Sequence, residues 1–189
     1  MAGDSTGWEV EHASLYFRSR RGDKRFRVPR WPKLTVCVDI ASQLILAAAV
    51  SQGPSRDTAE APGVLRDAHR RTRFRRALWD GGCDAESFHV LVREELQAHS
   101  LVPIKSGRRT RRWPPTQYRR QMKRRFYMRV YGQRWQVESA FSRQKRRLSS
   151  HLRAKTWNAQ QAELLLKVLV YNLMILRRAT VPFQQSTDP

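Results

Sequence analysis

The chain has 189 residues, with 37 Lys and Arg against 16 Asp and Glu, a formal net charge of +21 and a pI near 11.4. A hydrophobic share of 40% is enough for a folded core and excludes a collagen-like, low-complexity or wholly disordered chain. The length suits one domain or one and a half, and the cationic excess calls for a polyanionic partner, most often nucleic acid.

The charge is unevenly spread. Residues 1–100 hold 16 basic and 13 acidic groups, whereas residues 101–189 hold 21 basic and only 3 acidic groups. Two cysteines, Cys37 and Cys83, are too few for a disulfide framework or a four-cysteine zinc site. The first residues carry Asp4, Trp8 and Glu9 in place of a basic start and an apolar run, so they do not read as a signal peptide. The apolar run 44–50 is short, and the run 164–176 is interrupted by Lys167 and Asn172. The expectation is a soluble, intracellular, reduced protein with no membrane span.

In chain order, residues 1–10 give at most a strand fragment, and 12–30 read as a basic loop. Residues 33–40 (KLTVCVDI) and 44–50 read as an antiparallel hairpin turned by Ala41-Ser42-Gln43. Gly53-Pro54-Ser55 ends it, and Ser55 or Asp57 would cap a helix to about Arg71, despite Pro62 and Gly63. Residues 76–79 form a short strand leading into Asp80-Gly81-Gly82. Asp84 would cap a helix reaching about His99, with Phe88, Leu91, Val92 and Leu96 on its buried face. Residues 101–104 are a last strand, at an edge or ending at Pro103. A basic loop over 105–112 closes at Trp113-Pro114-Pro115, and helices follow over 117–130, 131–152 and 158–178. A disordered tail is expected after these, over 179–189. This order predicts an α/β fold, a ribonuclease H-like mixed sheet flanked by helices with a helical C-terminal part.

Three carboxylates stand out. Asp4, in Gly3-Asp4-Ser5-Thr6-Gly7, and Asp80, before two glycines, each sit where a strand end can aim a side chain into a cleft. Taken singly, each reads more readily as a turn or capping residue. Glu138 is the only carboxylate between Glu95 and Glu163, within a stretch from Lys105 to Lys155 that holds 18 Lys or Arg. Tyr131, Arg134, Glu138 and Lys145 fall within roughly a 60° arc of one helix. That stripe is a poor hydrophobic face. It suits a wall with an acid for a divalent cation and Arg and Lys for phosphate oxygens, or an ordinary exposed polar face.

At these residues the sequence resembles the DDE transposases of bacterial insertion sequences. The Tyr-x2-Arg-x3-Glu-x6-Lys signature of one group is matched by Tyr131, Arg134, Glu138 and Lys145, within Arg-Trp-Gln-Val-Glu-Ser. Asp4-Ser5-Thr6-Gly7 resembles the first-aspartate segment, Trp31-Pro32-Lys33-Leu34 the lead into the hairpin, and Asp80-Gly81-Gly82-Cys83-Asp84 the second-aspartate segment. The resemblance runs from residue 3 to about 178. It implies a catalytic triad of Asp4, Asp80 and Glu138 holding two Mg²⁺ ions about 4 Å apart, with Mn²⁺ able to substitute. The implied reaction is nicking at element ends followed by strand transfer into target DNA. Tyr131, Arg134, Lys145, Arg143, Arg146 and Arg147 would grip DNA, and the active complex would be a homo-oligomer in the bacterial cytoplasm, at the nucleoid. Clustered carboxylates repel, so at least one should have a raised pKa.

Two rivals compete with the triad: Asp39, in a convincing strand, with Asp4, and Asp84 with Asp80. Cys83 stands where the family commonly has Tyr and reads as a packing residue. The chain starts three residues before Asp4, so residues 1–178 read as an N-terminally incomplete catalytic domain lacking a full first strand. The alternative reading is a non-catalytic basic DNA-binding remnant or regulator.

The scattered His12, His69, His89, His99 and His151 carry no metal-ligand spacing. Trp113, Trp135 and Trp157 suit stacking on a base or ordinary packing equally. The stripe Leu165, Val168, Leu169, Asn172, Leu173 and Leu176 is expected to cover the sheet.

Overall fold

The computed structural model describes residues 1–10, 31–55, 57–105 and 113–180. The expected basic loop at 12–30, most of that at 105–112, His12 and the tail from 181 lie outside the described residues.

A five-stranded mixed sheet forms the centre, in the order β4-β3-β1-β5-β6. Its strands are β1 (Ala2–Gly7), β3 (Trp31–Val38), β4 (Ile45–Gly53), β5 (Arg76–Leu78) and β6 (His99–Leu101). β3 and β4 pair antiparallel, as their run of Val, Leu and Thr predicts, with a register irregularity at Cys37/Val38. A separate short ladder joins β2 (Glu9–Val10) to β7 (His151–Leu152) in parallel.

The expectation of a missing first strand is corrected by β1. It fills the central place, antiparallel to β3 over six residue pairs from Ala2↔Val38 to Gly7↔Lys33. On its other side it meets β5 in parallel at Ala2↔Leu78, and the Leu78 N–H donates to the Met1 carbonyl. A strand reading GDSTG has weak intrinsic β preference, so its position comes from its neighbours.

Helices cover both faces. On one lie α1 (Asp57–Arg71) and α2 (Glu86–Val90), which continues as a π-helical turn over Leu91–Glu95. Ala61, Leu65, Phe88, Val92 and Leu96 pack there against Cys37, Ala77 and Trp79. The other face carries α5 (Trp135–Leu148) and α6 (Trp157–Thr180), whose Val137, Phe141, Leu164, Val168 and Tyr171 meet Val36, Val38 and Leu78. The period-two alternation of the strands thus feeds two cores.

Several boundaries move. The helix expected to reach His99 ends earlier, because Gln97 adopts a left-handed backbone (φ 50°) and turns the chain into β6. That strand therefore starts at His99, not Leu101, and finishes before Pro103. Asp84 is not a helix cap. The cap position is Ala85, and the carboxylate of Asp84 accepts two bonds of 2.8 Å from the Arg119 guanidinium and one from the Lys105 N–H. Glu86 instead accepts from the Tyr118 and Arg119 N–H groups at the start of α3 (Gln117–Arg124).

The expected long helices are also broken up. α3 gives way to α4 (Met128–Tyr131), a 3₁₀ turn (Gly132–Arg134) and then α5, while residues 179–180 of the expected tail are still helical in α6. Cys37 and Cys83 are buried and form no disulfide, and burial pushes the Cys37 thiol up to about 12.

The expected covering stripe of α6 is only partly right. Val168 is buried, and Asn172 bonds both the N–H and the carbonyl of Ile45. Leu165, Leu169, Leu173 and Leu176, however, are exposed, and the packing face is Leu164, Val168, Tyr171 and Ile175. By length and composition alone, the window Trp157–Ala179 is long and apolar enough to cross a membrane. In the fold it is docked: Lys167 Nζ donates to the carbonyls of Leu148, Ser149 and His151.

Candidate functional site

Sheet register sets the first two acids. Two residues beyond the Ala2–Leu78 pair on each strand stand Asp4 and Asp80, on the sheet face that α5 covers. On the opposite face, the residues just before them meet: Gly3 lies under the buried ring of Trp79. A Cβ on Gly3 would be 2.1 Å from that ring, so only glycine fits. Asp80 follows β5 directly and accepts from the Gly82 N–H at 2.8 Å, opening the 3₁₀ turn Gly81–Cys83. Asp4 accepts from the Ser5 N–H at 2.9 Å.

Arg134 ties the helical half to this pair. Its Nη1 donates to Asp4 Oδ2 at 3.0 Å and its Nη2 to Glu138 Oε1 at 2.5 Å. The Tyr131 ring lies 5.9 Å from the guanidinium carbon. Arg134 and Asp4 are largely enclosed, whereas the Glu138 side chain is more than half exposed. Gly132 and the 3₁₀ turn place Tyr131 and Arg134 ahead of α5, so the four signature residues do not share one continuous α-helix.

Electrostatics follow the geometry. Burial raises the pKa of Asp4, and the charge of Asp80 adds to the rise. The Ser5 N–H and the Arg134 guanidinium pull it down without cancelling it. Burial would lower Arg134, but Asp4, Tyr131 and Glu138 outweigh it and raise its pKa. The raised carboxylate expected from acid crowding is thus Asp4, with burial as the leading cause. As the side chains stand, no group of three Asp, Glu, His or Cys among the described residues is close enough to hold a metal ion. The guanidinium instead links two of the acids.

Lys145 lies further along α5, where its Nζ donates to Thr6 Oγ1 at 2.8 Å and the Gly7 carbonyl at 2.9 Å. It also stands 5.4 Å from the Trp8 ring, and burial lowers its pKa. This cation, expected at phosphate, pins the end of β1. Thr6 and Trp8 are the partners that sequence reasoning missed, and the alternating small and polar residues of 3–7 gave no sign of them.

The other expected DNA contacts are not gathered here. Arg143 donates to Gln43 Oε1 at 3.2 Å and, with Arg147, lines a recess beside Tyr171 and Arg178. Arg146 is exposed and donates to the Ser142 carbonyl. Asp39 sits in the β3–β4 turn. Hydrogen bonds from Ser42 there outweigh its partial burial and lower its pKa. Asp84 is committed to Arg119.

Residues 69, 89, 99 and 151 form no metal cluster with one another or with acids among the described residues. His89 is buried against Ser100, its Nδ1 2.7 Å from the hydroxyl, and burial lowers its pKa to about 4. Trp113 and Trp135 are exposed, and Lys123 lies 5.1 Å from the Trp113 ring.

Asp4 lies within β1 and not at its end as expected, while Asp80 lies just past the end of β5. A mixed five-stranded sheet with helices on both faces, these two acids on one face and a third on a covering helix agree with one further finding. The family model described as "Transposase DDE domain" matches residues 1–173. The chain therefore belongs to the transposase DDE domain family, whose members are phosphoryl-transfer enzymes of DNA transposition.

Proposed function

We propose that this chain is the catalytic domain of an insertion-sequence transposase of the Tyr-x2-Arg-x3-Glu-x6-Lys group, cutting and rejoining DNA at Asp4, Asp80 and Glu138. One observation carries the reading. A single guanidinium joins Asp4 to Glu138 across 134 residues of sequence, and Asp80 is near enough to act on Asp4. A structural ion pair needs two members, and the third acid makes sense where positive charge is to be bound.

The donor set is all carboxylate oxygen, which fits Mg²⁺ or Mn²⁺. Asp4, Asp80 and Glu138 would hold the ions once Arg134 releases one carboxylate. When bound, such ions activate a water or 3′-hydroxyl and neutralise charge on the departing oxygen. The chain's own residues do the rest. Only the ionised Asp4 can ligate a metal, and because burial raises its pKa that form is lost at a higher pH than for an exposed aspartate. Arg134, freed, has the forked geometry to take a phosphate oxygen pair beside the scissile bond. Tyr131 packs against Phe126 and Arg134 and orients the guanidinium. Exposed cations such as Arg146 and Arg147 supply salt-dependent backbone affinity.

The test uses a supercoiled plasmid carrying the coding sequence with its native flanking DNA, plus Mg²⁺ or Mn²⁺. The expected result is metal-dependent nicking that Glu138→Gln abolishes while DNA binding persists. Nicking retained in Glu138→Gln overturns the assignment. The ungrouped state of the three acids favours a second reading, a DNA-binding regulator without cleavage. That reading is upheld if the wild type binds DNA with steep salt dependence and never cuts.

A further inference from the structure

We propose that Arg134 is a latch that makes metal loading wait for DNA. Its guanidinium holds Asp4 and Glu138 in the free chain and yields them to a divalent ion only when a DNA phosphate captures it. The inference rests on the reading of Asp4, Asp80 and Glu138 as metal ligands. The two oxygens of Asp4 are engaged differently. Oδ1 accepts from the Ser5 N–H at 2.9 Å, a neutral donor that an ion can share an oxygen with. Oδ2 accepts from Arg134 Nη1 at 3.0 Å, and an ion there must displace another cation. The same fork takes Glu138 Oε1 through Nη2 at 2.5 Å. Asp80 lies outside the fork and accepts from the Gly82 N–H.

Tethering favours the guanidinium over a free ion. Arg134 ends the 3₁₀ turn just ahead of α5, four residues before Glu138, with the Tyr131 ring beside it. A tethered group competes at an effective concentration of about millimolar, so a micromolar ion displaces it poorly. Glu138 is 56% exposed and is the weaker hold, because solvent screens that pair more than the enclosed one with Asp4. A phosphate offers the fork an oxygen pair and so replaces both arms at once. Charge balance points the same way. Three carboxylates and one guanidinium leave two negative charges, which one divalent ion cancels. A second ion leaves the cluster positive unless a phosphate joins it. By linkage, the factor that DNA adds to ion affinity is the factor that the ion adds to DNA affinity.

The experiment measures Mn²⁺ binding to the full chain by electron paramagnetic resonance, with and without a duplex copied from the native flanking DNA. Glu138→Gln is the blank for ions held by the DNA itself. The wild type should bind Mn²⁺ about 10-fold to 100-fold more tightly with the duplex. Mn²⁺ should tighten duplex binding, read by fluorescence anisotropy, by the same factor. Arg134→Lys keeps the charge and loses the fork, so without DNA it should bind Mn²⁺ about 5-fold or more tighter than the wild type. The wild-type comparison decides even if Arg134→Lys does not fold. A wild type that binds Mn²⁺ equally with and without the duplex overturns the latch and leaves the carboxylate site standing. So does a folded Arg134→Lys that binds no tighter than the wild type without DNA. If no sample binds Mn²⁺ above the Glu138→Gln blank, the catalytic reading itself fails, and the latch with it.

Discussion

Gly3→Ala tests how Asp4, within β1, and Asp80, just past β5, are held together. The added methyl would lie 2.1, 2.2 and 2.8 Å from three atoms of the Trp79 ring. That ring cannot retreat. It is 1% exposed and packs edge-on to Phe88 at 5.6 Å between centroids. Overpacking costs about 1–3 kcal/mol, and three contacts on an immobile ring put this site at the upper end, about 3 kcal/mol. For a chain of this length that lowers the melting temperature by about 6–12 °C. Strand β1 must also move, which carries Asp4 away from Asp80, so Mn²⁺ affinity measured by calorimetry should fall. Trp79→Phe removes the clashing atoms, and among the described residues the indole N–H has no hydrogen-bond partner to lose. In the Gly3→Ala background it should restore about 1–2 kcal/mol relative to additivity. Thermal melts of the four proteins in this cycle decide the matter. A Gly3→Ala melt within about 2 °C of wild type, or strict additivity with Trp79→Phe, refutes the reasoning.

Other outcomes follow from the same geometry. His89, lowered to about 4 by burial, stays neutral in the fold while the unfolded chain protonates near 6.5. Its contribution is therefore fully present above about pH 6.5 and is lost as pH falls towards 4, on the order of 3 kcal/mol. Denaturant melts of His89→Gln should show a flatter acid limb than wild type, and an unchanged slope counts against the assignment. Arg119→Ala leaves Asp84, 1% exposed, with one backbone donor, and urea melts should register a loss of about 3 kcal/mol. Arg134→Gln removes a charge that offsets burial at Asp4, so the Asp4 titration followed by carboxyl NMR should shift to higher pH. A midpoint that stays put would refute the coupling between Arg134 and Asp4.

The hairpin, the two-faced sheet and the helices around it were legible because β-branched runs and apolar periodicity are local signals. The glycines beside Asp4 and Asp80 singled them out in the sequence, and the sheet brings the two onto one face. The central place of β1 was not, since GDSTG has no strand signature and its register is written in Trp79 and Val36. Asp84 looked like a cap because capping residues precede helices, but its carboxylate is claimed by Arg119, 35 residues on. Period alone cannot say which face of α6 goes inward, because both are apolar. The four-residue spacing of Arg134 and Glu138 puts them within bonding reach, as observed. It did not show that Lys145 would turn to β1, because nothing in Thr6 or Gly7 announces a lysine partner.

The bonds that close the site are the most distant in sequence. Arg134 reaches Asp4 across 130 residues, and Lys145 reaches Thr6 across 139. Forming such contacts closes a long loop, which slows their assembly relative to the hairpin. On the ribosome, β1 emerges well before the 3₁₀ turn that carries Arg134, so Asp4 waits without the guanidinium that later binds it. A chain released before residue 134 has both aspartates and neither Arg134 nor Glu138. The site is thus closed only after the helical half has been made.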